Sequence, residues 1–280
     1  MNSSVKKSLV KFSLLLCTYK GENPLHLKEC LDSILSSTVY PNEMVIVKDG
    51  PLTSELDELI SQTDFPFETK TIQLPTNRTL GIARREGVAA SKYGWIALMD
   101  SDDIMVPERF KIQLASIELN PRIDIIGGQI AEFCTSRDQA HTMRKVPTEH
   151  GEIIEFVKKR NPFNAMTVMF KKDLAVKSGN FRYFPGFEDY DLWTRMMMNG
   201  AFCRNCDEVL AYARTGDGMY QRRQGLSYVK QELRMQRQMR ELGIIGRFRF
   251  IGNIIARVPI RMFPHKIVEI VYTKFLRSGV

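Results

Sequence analysis

Short apolar runs alternate with amphipathic segments along the first 120 residues of the chain. The apolar runs predict buried strands at 12–18, 44–48, 69–73 and 95–100. Apolar residues at helical spacing predict helices near 25–36, 54–61 and 82–91, and another that begins at Pro107. Repeated strand–helix units favour a mainly parallel sheet with helices on both faces, so the pattern predicts an α/β fold.

Acidic residues crowd the end of the fourth predicted strand. Asp100, Asp102 and Asp103 follow the apolar run directly. Carboxylates this close repel one another unless a cation lies between them, and oxygen ligands of this kind suit Mg²⁺ or Mn²⁺ that bridges to a phosphate. An acidic turn without a metal is the alternative interpretation of the same residues.

Other polar residues follow the first two predicted strands. Thr18 and Tyr19 come after the first strand and Asp49 after the second. Ligands of parallel sheets bind outside the carboxyl ends of the strands, so these residues predict one binding crevice. Because the chain has neither a GxxxxGK[ST] loop nor a GxGxxG motif after the first strand, a metal would have to replace a glycine-rich phosphate loop. The arginines of 77–87 suit diphosphate oxygens, although arginines at a helix start are also common as surface charge.

The size and composition of the chain indicate one large domain, or a domain with an appendage. It has 280 residues, of which 44% are hydrophobic. No apolar run approaches the roughly 20 residues that span a bilayer, and the apolar stretch 12–17 is too short for a signal peptide. Five scattered cysteines are typical of reduced thiols. We therefore expect a cytoplasmic protein.

Positive charge is concentrated at the C-terminal end. Residues 214–280 hold 14 lysines and arginines against 4 acidic residues, whereas residues 1–213 hold 26 against 28. An apolar stripe at helical spacing with arginines around it predicts an interfacial helix on anionic lipid. The stripe is Ile244, Phe248, Ile251, Ile255 and Val258, with Arg247, Arg249, Arg257 and Arg261, before Pro259 and Pro264 break the pattern.

This basic segment allows two other interpretations. The stripe can instead pack on the main domain as an ordinary C-terminal helix with solvated arginines. Nucleic-acid binding is not expected, since no recognised motif or aromatic-interleaved basic platform accompanies the charge.

Five motifs in order carry a resemblance to a known family. They lie at 13–19, 45–50, 77–87, 100–103 and 187–193. Over most of residues 10–215 the chain resembles the family 2 glycosyltransferases of GT-A fold, in particular bacterial enzymes that extend lipid-linked O-antigen or exopolysaccharide repeat units, such as the amylovoran-type transferases.

The resemblance implies a fold and a domain organisation. It implies a GT-A-like, Rossmann-type nucleotide-binding fold with a mixed, mainly parallel sheet and a C-terminal helical extension. We expect a catalytic domain at 8–215 and a basic amphipathic extension at 216–280. This extension would hold the enzyme peripherally on the inner face of the cytoplasmic membrane.

The resemblance also implies the residues that bind the nucleotide and the metal. The residues implied for the nucleotide are Thr18, Tyr19, Asp49 at the uracil, Arg84, and Asp100 nearest the ribose. Asp102 is implied as a ligand of Mn²⁺ or Mg²⁺, with Asp103 supporting it.

On the acceptor side, the resemblance implies that Asp189, next to Glu188, is the catalytic base. A single carboxylate acting as base means one in-line displacement, so an α-linked UDP-sugar should yield a β-linkage. Trp193, one turn along the helix, is expected to stack on the acceptor sugar, with Asp191 nearby. The alternative for 188–191 is an acidic helix start stabilised by the helix dipole.

The implied reaction moves a hexose or N-acetylhexosamine from a UDP-sugar to a polyprenyl-diphosphate-linked saccharide, such as undecaprenyl-diphosphate-GlcNAc or -GalNAc. The chain departs from the family pattern at Lys48 and Arg85, and at Ala165 on the acceptor side. Two competing functions stay open: a phosphohydrolase with an aspartyl nucleophile, whose motif would lie on the first strand, and a non-catalytic sugar-nucleotide-binding membrane protein.

Overall fold

The computed structural model describes residues 10–140, 142–215, 225–262 and 278–279. Within these ranges, ten strands form one sheet. The strands are β1 Phe12–Thr18, β2 Glu43–Lys48, β3 Glu68–Gln73, β4 Trp95–Asp100, β5 Ile104–Met105, β6 Ile125–Phe133, β7 Thr142–Arg144, β8 Met169–Lys171, β9 Cys203–Arg214 and β10 Ser278–Gly279. The α-helices are α1 Pro24–Leu35, α2 Ser54–Gln62, α3 Leu80–Ala90, α4 Arg109–Leu119, α5 His150–Val157, α6 Lys172–Lys177, α7 Glu188–Met198, α8 Gly225–Glu241 and α9 Arg247–Met262.

The sheet is mixed, with a parallel half that carries the predicted strand–helix units. Its main path has the order β10-β7-β6-β8-β4-β1-β2-β3, and β9 pairs with β5 and β6. The neighbours β3, β2, β1 and β4 run parallel, while β8 runs antiparallel to both β4 and β6. The predicted α/β class, with a mixed and mainly parallel sheet, is confirmed. Every predicted element of the first 120 residues is present, with ends that differ by one or two residues.

The strand β1 is buried throughout because helices cover both faces of the sheet. All seven of its residues are buried. Leu14 and Leu16 pack in a cluster with α1, whereas Leu15 packs in a second cluster with residues of α3. A Cβ at Gly87 would lie 2.2 Å from Leu15 Cδ1, so only glycine allows α3 to approach the sheet this closely.

The C-terminal helices pack on the main body through an apolar cluster and buried polar groups. The cluster is Val157, Phe184, Phe187, Tyr190, Met235, Met239 and Ile245. Asn253 of α9 donates to the carbonyl oxygen of Lys158 at 3.0 Å and to Oε1 of Gln236 at 2.9 Å. Arg257 pairs with the fully buried Glu232 at 2.7 Å. These contacts tie α8 and the inner face of α9 to the end of α5 and to α7.

The outer face of α9 is exposed and apolar. Phe248, Ile251 and Ile255 are 90%, 45% and 68% exposed. Ile244 departs from the predicted stripe, since it lies before α9 and packs against the Met235 cluster. The break in the pattern predicted at Pro259 does not end the helix, because α9 continues to Met262. Pro259 cannot donate a hydrogen bond to the carbonyl oxygen of Ile255. Because Ile255 is exposed, water can replace this bond and the helix continues.

Pro264, the second predicted break, lies outside the described residues. None of the helices in the described ranges is long and apolar enough to cross a membrane.

Candidate active site

Three parallel strands bring their carboxyl ends to one edge of the sheet. Thr18 of β1 is opposite Lys48 of β2, and Cys17 is opposite Asp100 of β4. Thr18, Asp49 and Asp100 therefore meet at this edge, as the sequence predicts. The hydroxyl of Thr18 is buried and has no hydrogen-bond partner among the described residues, so its hydrogen-bonding capacity is unused there.

The turn after β2 is built around Asp49. Its backbone N–H donates to the carbonyl oxygen of Thr18 at 2.8 Å, and its Oδ1 accepts from the backbone N–H of Arg78 at 2.7 Å. Gly50 has φ +88°, and a Cβ there would lie 2.7 Å from the backbone N of Asn77. The turn therefore requires glycine and holds the buried Asp49 carboxylate at the strand end. Tyr19, at the neighbouring end of β1, is 44% exposed.

Arg84 connects α3 to the end of β4. Its Nη2 lies 2.6 Å from Oδ1 of Asp100, and its guanidinium carbon lies 5.7 Å from the centre of the Phe181 ring. Burial alone would lower the pKa of Arg84, but neighbouring carboxylates, above all Asp100, outweigh it and raise that pKa. A permanently charged guanidinium thus lies beside the strand ends.

The acidic turn after β4 is held by Arg214, the last residue of β9. The backbone N–H of Arg214 donates to Asp103 Oδ1 at 2.8 Å, and its Nε donates to the carbonyl oxygen of Asp102 at 3.1 Å. Its guanidinium also pairs with Glu29 and lies over the Phe133 ring. Asp103 is buried, and burial together with the charge of Asp102 raises its pKa well above the ordinary value.

Glu188 and Asp189 begin α7, directly beside the start of α3. A Cβ at Gly81 would lie 2.3 Å from the carbonyl oxygen of Arg182 and 3.1 Å from Cβ of Glu188. Glu188 is 9% exposed, and its Oε2 has no hydrogen-bond partner among the described residues. Burial, assisted by the charge of Asp189, raises the pKa of Glu188 to about 7, while Arg84 opposes the shift.

Both carboxylate oxygens of Asp189 accept hydrogen bonds. Oδ2 accepts from Nδ2 of Asn161 at 2.7 Å, and Oδ1 accepts from the backbone N–H of Tyr190 at 2.7 Å. Asp189 is only partly buried. A fixed, solvent-accessible carboxylate of this kind can take a proton from a bound hydroxyl group.

Comparison with known proteins decides the family. Residues 13–177 match the glycosyl transferase family 2. The chain belongs to this family. An uncharacterized glycosyltransferase of Haemophilus influenzae is 38% identical to this glycosyltransferase, over 96% of the chain and the whole length of that protein.

Two further relatives match over nearly their whole lengths. The amylovoran biosynthesis glycosyltransferase AmsE of Erwinia amylovora is 31% identical, over 94% of the chain and 98% of that protein. The UDP-Gal:alpha-D-GlcNAc-diphosphoundecaprenol beta-1,3-galactosyltransferase of Escherichia coli is 32% identical, over 95% of the chain and 97% of that protein. The resemblance inferred from the five motifs is thereby confirmed.

Solved structures confirm the GT-A-like fold. S. aureus TarS 1-349 in complex with UDP-GlcNAc superposes with a TM-score of 0.67 at 16% identity, covering 89% of the chain and 72% of TarS. The mannosyltransferase PcManGT from Pyrobaculum calidifontis, in complex with GDP-Man and Mn²⁺, superposes with a TM-score of 0.61 at 14% identity. The match covers 88% of the chain and 68% of PcManGT.

The acidic turn of this glycosyltransferase fits a cation that is held partly by its substrate. Throughout the described ranges, no three His, Cys, Asp or Glu side chains are grouped as a metal cage. Mg²⁺ usually takes only one or two carboxylates and completes its shell with water and phosphate oxygens. Asp102 is the less buried carboxylate of the turn, while Asp103 is anchored to β9. This geometry is compatible with the prediction that Asp102 binds the metal and Asp103 supports it.

The prediction that Trp193 stacks on an acceptor sugar is wrong. Trp193 is fully buried, between α7 and the sheet. Its ring packs edge-on against Phe163, Phe170 and Phe181, with centroid distances of 5.9, 5.4 and 6.0 Å. A sugar could reach this indole only if the core opened. Asp189, in contrast, lies at the start of α7 and is only partly buried.

The prediction that Asp191 contacts the acceptor is also wrong. Its side chain is fully buried and pairs with Arg182 at 2.5 Å and with Arg195 at 2.6 Å. It also accepts a hydrogen bond from Gln238 of α8. Although burial alone would raise the pKa of Asp191, these hydrogen bonds outweigh it and lower that pKa. Asp191 therefore anchors α8 to α7.

Two residues that hold the site in place were not predicted from the sequence. Asn161 holds the carboxylate of Asp189, and Arg214 holds the turn with Asp102. A signal existed for each, since Asn161 precedes a proline, which marks a turn, and Arg214 follows the apolar run 209–213. Neither signal indicates which distant residue would be contacted.

Proposed function

We propose that the chain is a metal-dependent inverting hexosyltransferase. It transfers a hexose or N-acetylhexosamine from a UDP-sugar to a saccharide linked to a polyprenyl diphosphate, and it forms a β-linkage in a repeat unit of O-antigen, capsule or exopolysaccharide. The observation that carries the proposal is Asp189, a carboxylate fixed by two hydrogen bonds beside the strand ends. The activities after which the Erwinia and Escherichia relatives are named support the substrate class.

The geometry suits a single displacement. The acceptor hydroxyl loses its proton to Asp189 while its oxygen forms a bond to the anomeric carbon, and the bond from that carbon to the UDP oxygen breaks. General-base help of this kind contributes about 10² to 10⁴-fold. Because no second step through an enzyme nucleophile is needed, the configuration at the anomeric carbon inverts.

The nucleotide side is supplied by the strand ends. Asp49 and the unpartnered hydroxyl of Thr18 offer polar contacts to the uracil and ribose, with Tyr19 at the exposed rim. Arg84 supplies positive charge for the diphosphate next to Asp100. Asp102 would hold Mn²⁺ or Mg²⁺, with Asp103 supporting it, and the bound ion would neutralise the charge that develops on the leaving diphosphate.

Titration calorimetry with Mn²⁺ and UDP tests the metal site without turnover. Asp102→Asn should weaken binding of Mn²⁺ in the presence of UDP by tenfold or more, whereas Asp32→Asn on α1 should leave it unchanged. Equal Mn²⁺ affinity in the two variants would remove Asp102 from the metal site.

We also propose that the extension at 216–280 holds the catalytic domain at 8–215 on the inner face of the cytoplasmic membrane. The exposed side chains of Phe248, Ile251 and Ile255 form an apolar stripe on α9. Arg247 and Arg249 are exposed next to this stripe and complement anionic lipid headgroups. An acceptor with a lipid anchor would present its sugar at the same surface.

The decisive experiment measures nucleotide release from UDP-, dTDP- and GDP-sugars, with Mn²⁺ or Mg²⁺ and a short-lipid diphosphate-GlcNAc acceptor. We expect acceptor-dependent release from one UDP-sugar, its loss in EDTA, and its loss in Asp189→Asn with UDP binding retained. A non-catalytic binding protein would bind UDP equally in both forms and release nothing. If no sugar nucleotide bound to the wild-type protein, the proposal would be wrong.

A further inference from the structure

The side chain of Asn161, in the segment that follows α5, reaches the catalytic carboxylate. Its Nδ2 donates to Oδ2 of Asp189 at 2.7 Å. We propose that Asn161 is a positioning residue, which holds the carboxylate of Asp189 in the orientation that accepts the proton of the acceptor hydroxyl. This inference rests on the proposed function in one respect, namely that Asp189 is the base.

The orientation of the Asn161 amide follows from its second hydrogen bond. Its Oδ1 accepts from the backbone N–H of Phe163 at 3.2 Å, two residues along the chain. Since the oxygen is used in this turn, the NH₂ group must face Asp189. An amide in this orientation can only donate to the carboxylate, so it fixes the direction of the Asp189 oxygens.

The backbone around Asn161 is held in place. Pro162 restricts Asn161 to extended conformations and contributes no N–H that would compete in the turn. Nη2 of Arg144, on β7, donates to the carbonyl oxygens of Asn161 at 3.1 Å and Phe163 at 3.4 Å. The donor is thus preorganised before a substrate binds.

The segment just before Asn161 is fixed to the helices on either side. The hydroxyl of Tyr190, the residue after the base, donates to the carbonyl oxygen of Val157. Nδ2 of Asn253 on α9 donates to the carbonyl oxygen of Lys158 at 3.0 Å. The residues that orient the base therefore share their support with the C-terminal helices.

Among the described residues, Asn161 and the N–H of Tyr190 are the donors to Asp189, and each uses a lone pair on a different carboxylate oxygen. A carboxylate oxygen has two lone pairs, so each oxygen keeps one for the acceptor proton.

Three variants test the positioning role. Asn161→Ala removes the donor, and Asn161→Asp keeps the acceptor of the turn but places a second carboxylate against Asp189. The matched control is Asn120→Asp, since Oδ1 of Asn120 accepts the N–H of Arg122 at 3.2 Å in the same kind of turn, away from the strand-end site.

The first readout is the separate measurement of kcat and KM. Asn161→Ala should lower kcat about tenfold, the equivalent of one hydrogen bond, with an unchanged KM for the UDP-sugar. Asn161→Asp should lower kcat further, because its carboxylate cannot donate to Asp189. The control should match the wild type. An unchanged kcat in both Asn161 variants, with only a lower melting temperature, would reduce Asn161 to a structural role and overturn the proposal.

The second readout does not need turnover. The side-chain carboxyl ¹³C resonance of Asp189, identified by its loss in Asp189→Asn, is compared at one neutral pH in the wild type and in each variant. We expect its chemical shift to change in both Asn161 variants and to stay the same in Asn120→Asp. An unchanged chemical shift in both Asn161 variants would overturn the proposal. A protein whose chemical shift changes as expected but that turns over no sugar nucleotide would instead contradict the proposed function.

Discussion

Arg84 and Asp100 form an ion pair at the centre of the site, with Nη2 of Arg84 2.6 Å from Oδ1 of Asp100. The side chains of these two residues are only 4% and 26% exposed. The pair joins the first turns of α3 to the end of β4, where the nucleotide is proposed to bind.

Asp100→Asn should lower the free energy of unfolding by about 3 kcal/mol, because it leaves the buried guanidinium of Arg84 without a charged partner. Urea unfolding at neutral pH measures the change. The control is Asp32→Asn, which breaks the surface pair with Lys28, where both side chains are 56% exposed. That variant should lose at most about 0.5 kcal/mol. Equal losses in the two variants would mean that burial of Arg84 does not matter.

Substitutions of Trp193 separate a core residue from a sugar-binding residue. Trp193→Ala should lower the free energy of unfolding by about 3 to 5 kcal/mol, because it empties a fully buried site among three phenylalanines. Trp193→Phe should fold and keep the wild-type KM for the lipid-linked acceptor. A several-fold rise in acceptor KM for Trp193→Phe, without loss of stability, would restore the stacking role.

Glu188 should make the stability of the protein depend on pH. Its pKa is about 7 in the folded protein, above the ordinary 4.5. Between about pH 4.5 and pH 7, Glu188 is therefore protonated in the folded state and ionised in the unfolded state. The contribution of Glu188 to stability is therefore complete below about pH 4.5 and is lost as the pH rises to about 7.

Glu188→Gln removes this dependence. Relative to the wild type, it should stabilise the fold by up to about 3 kcal/mol at pH 8 and leave it unchanged near pH 4.5. Thermal unfolding across this range measures the difference. Glu55→Gln, which changes an exposed glutamate in the first turn of α2, serves as the control for loss of a surface carboxylate. A constant difference between Glu188→Gln and wild type would contradict the prediction.

The outer face of α9 can be tested without disturbing its inner face. Deletion of 244–280 would also remove the hydrogen bond from Asn253 to the carbonyl oxygen of Lys158 at the end of α5. A deletion therefore tests lipid binding and packing on the main body at once. Phe248→Asp and Ile255→Asp should each lower cosedimentation with anionic lipid vesicles about tenfold or more, since burial of one such side chain contributes about 2 kcal/mol.

The matched control for the vesicle experiment is Leu119→Asp, which charges an apolar side chain of α4 that is 88% exposed. We expect its vesicle binding to equal that of the wild type. If Phe248→Asp and Ile255→Asp bind vesicles as strongly as this control, the apolar stripe of α9 does not contact lipid.

The local pattern of the sequence determined the elements and much of the site. Each strand and helix of the first 120 residues depends on a periodicity contained within one segment, so it can be identified without knowledge of its neighbours. Because parallel strands end at one edge of the sheet, the same pattern predicts that Thr18, Asp49 and Asp100 meet there. The five motifs in order determined the family.

Only the tertiary structure decided which side of each helix faces the core. Helical spacing places Trp193 one turn from Asp189, but packing against the sheet buries Trp193 and leaves Asp189 accessible. In the basic tail the same apolar spacing predicted both a lipid-facing and a core-facing helix. Phe250 and Ile244 pack inward while Phe248 stays exposed, because the surface of α8 and α7 takes up only one side of α9.

Contacts between distant residues were likewise decided by the fold. Asn161 meets Asp189 across 28 residues of sequence, and Arg214 meets Asp102 across 112. A hydrogen bond depends on a separation of about 3 Å and on direction, and both are set by how the elements pack. The sequence therefore indicates the chemistry that each residue can perform, while the packing of α3, α5, α7 and β9 selects its partner.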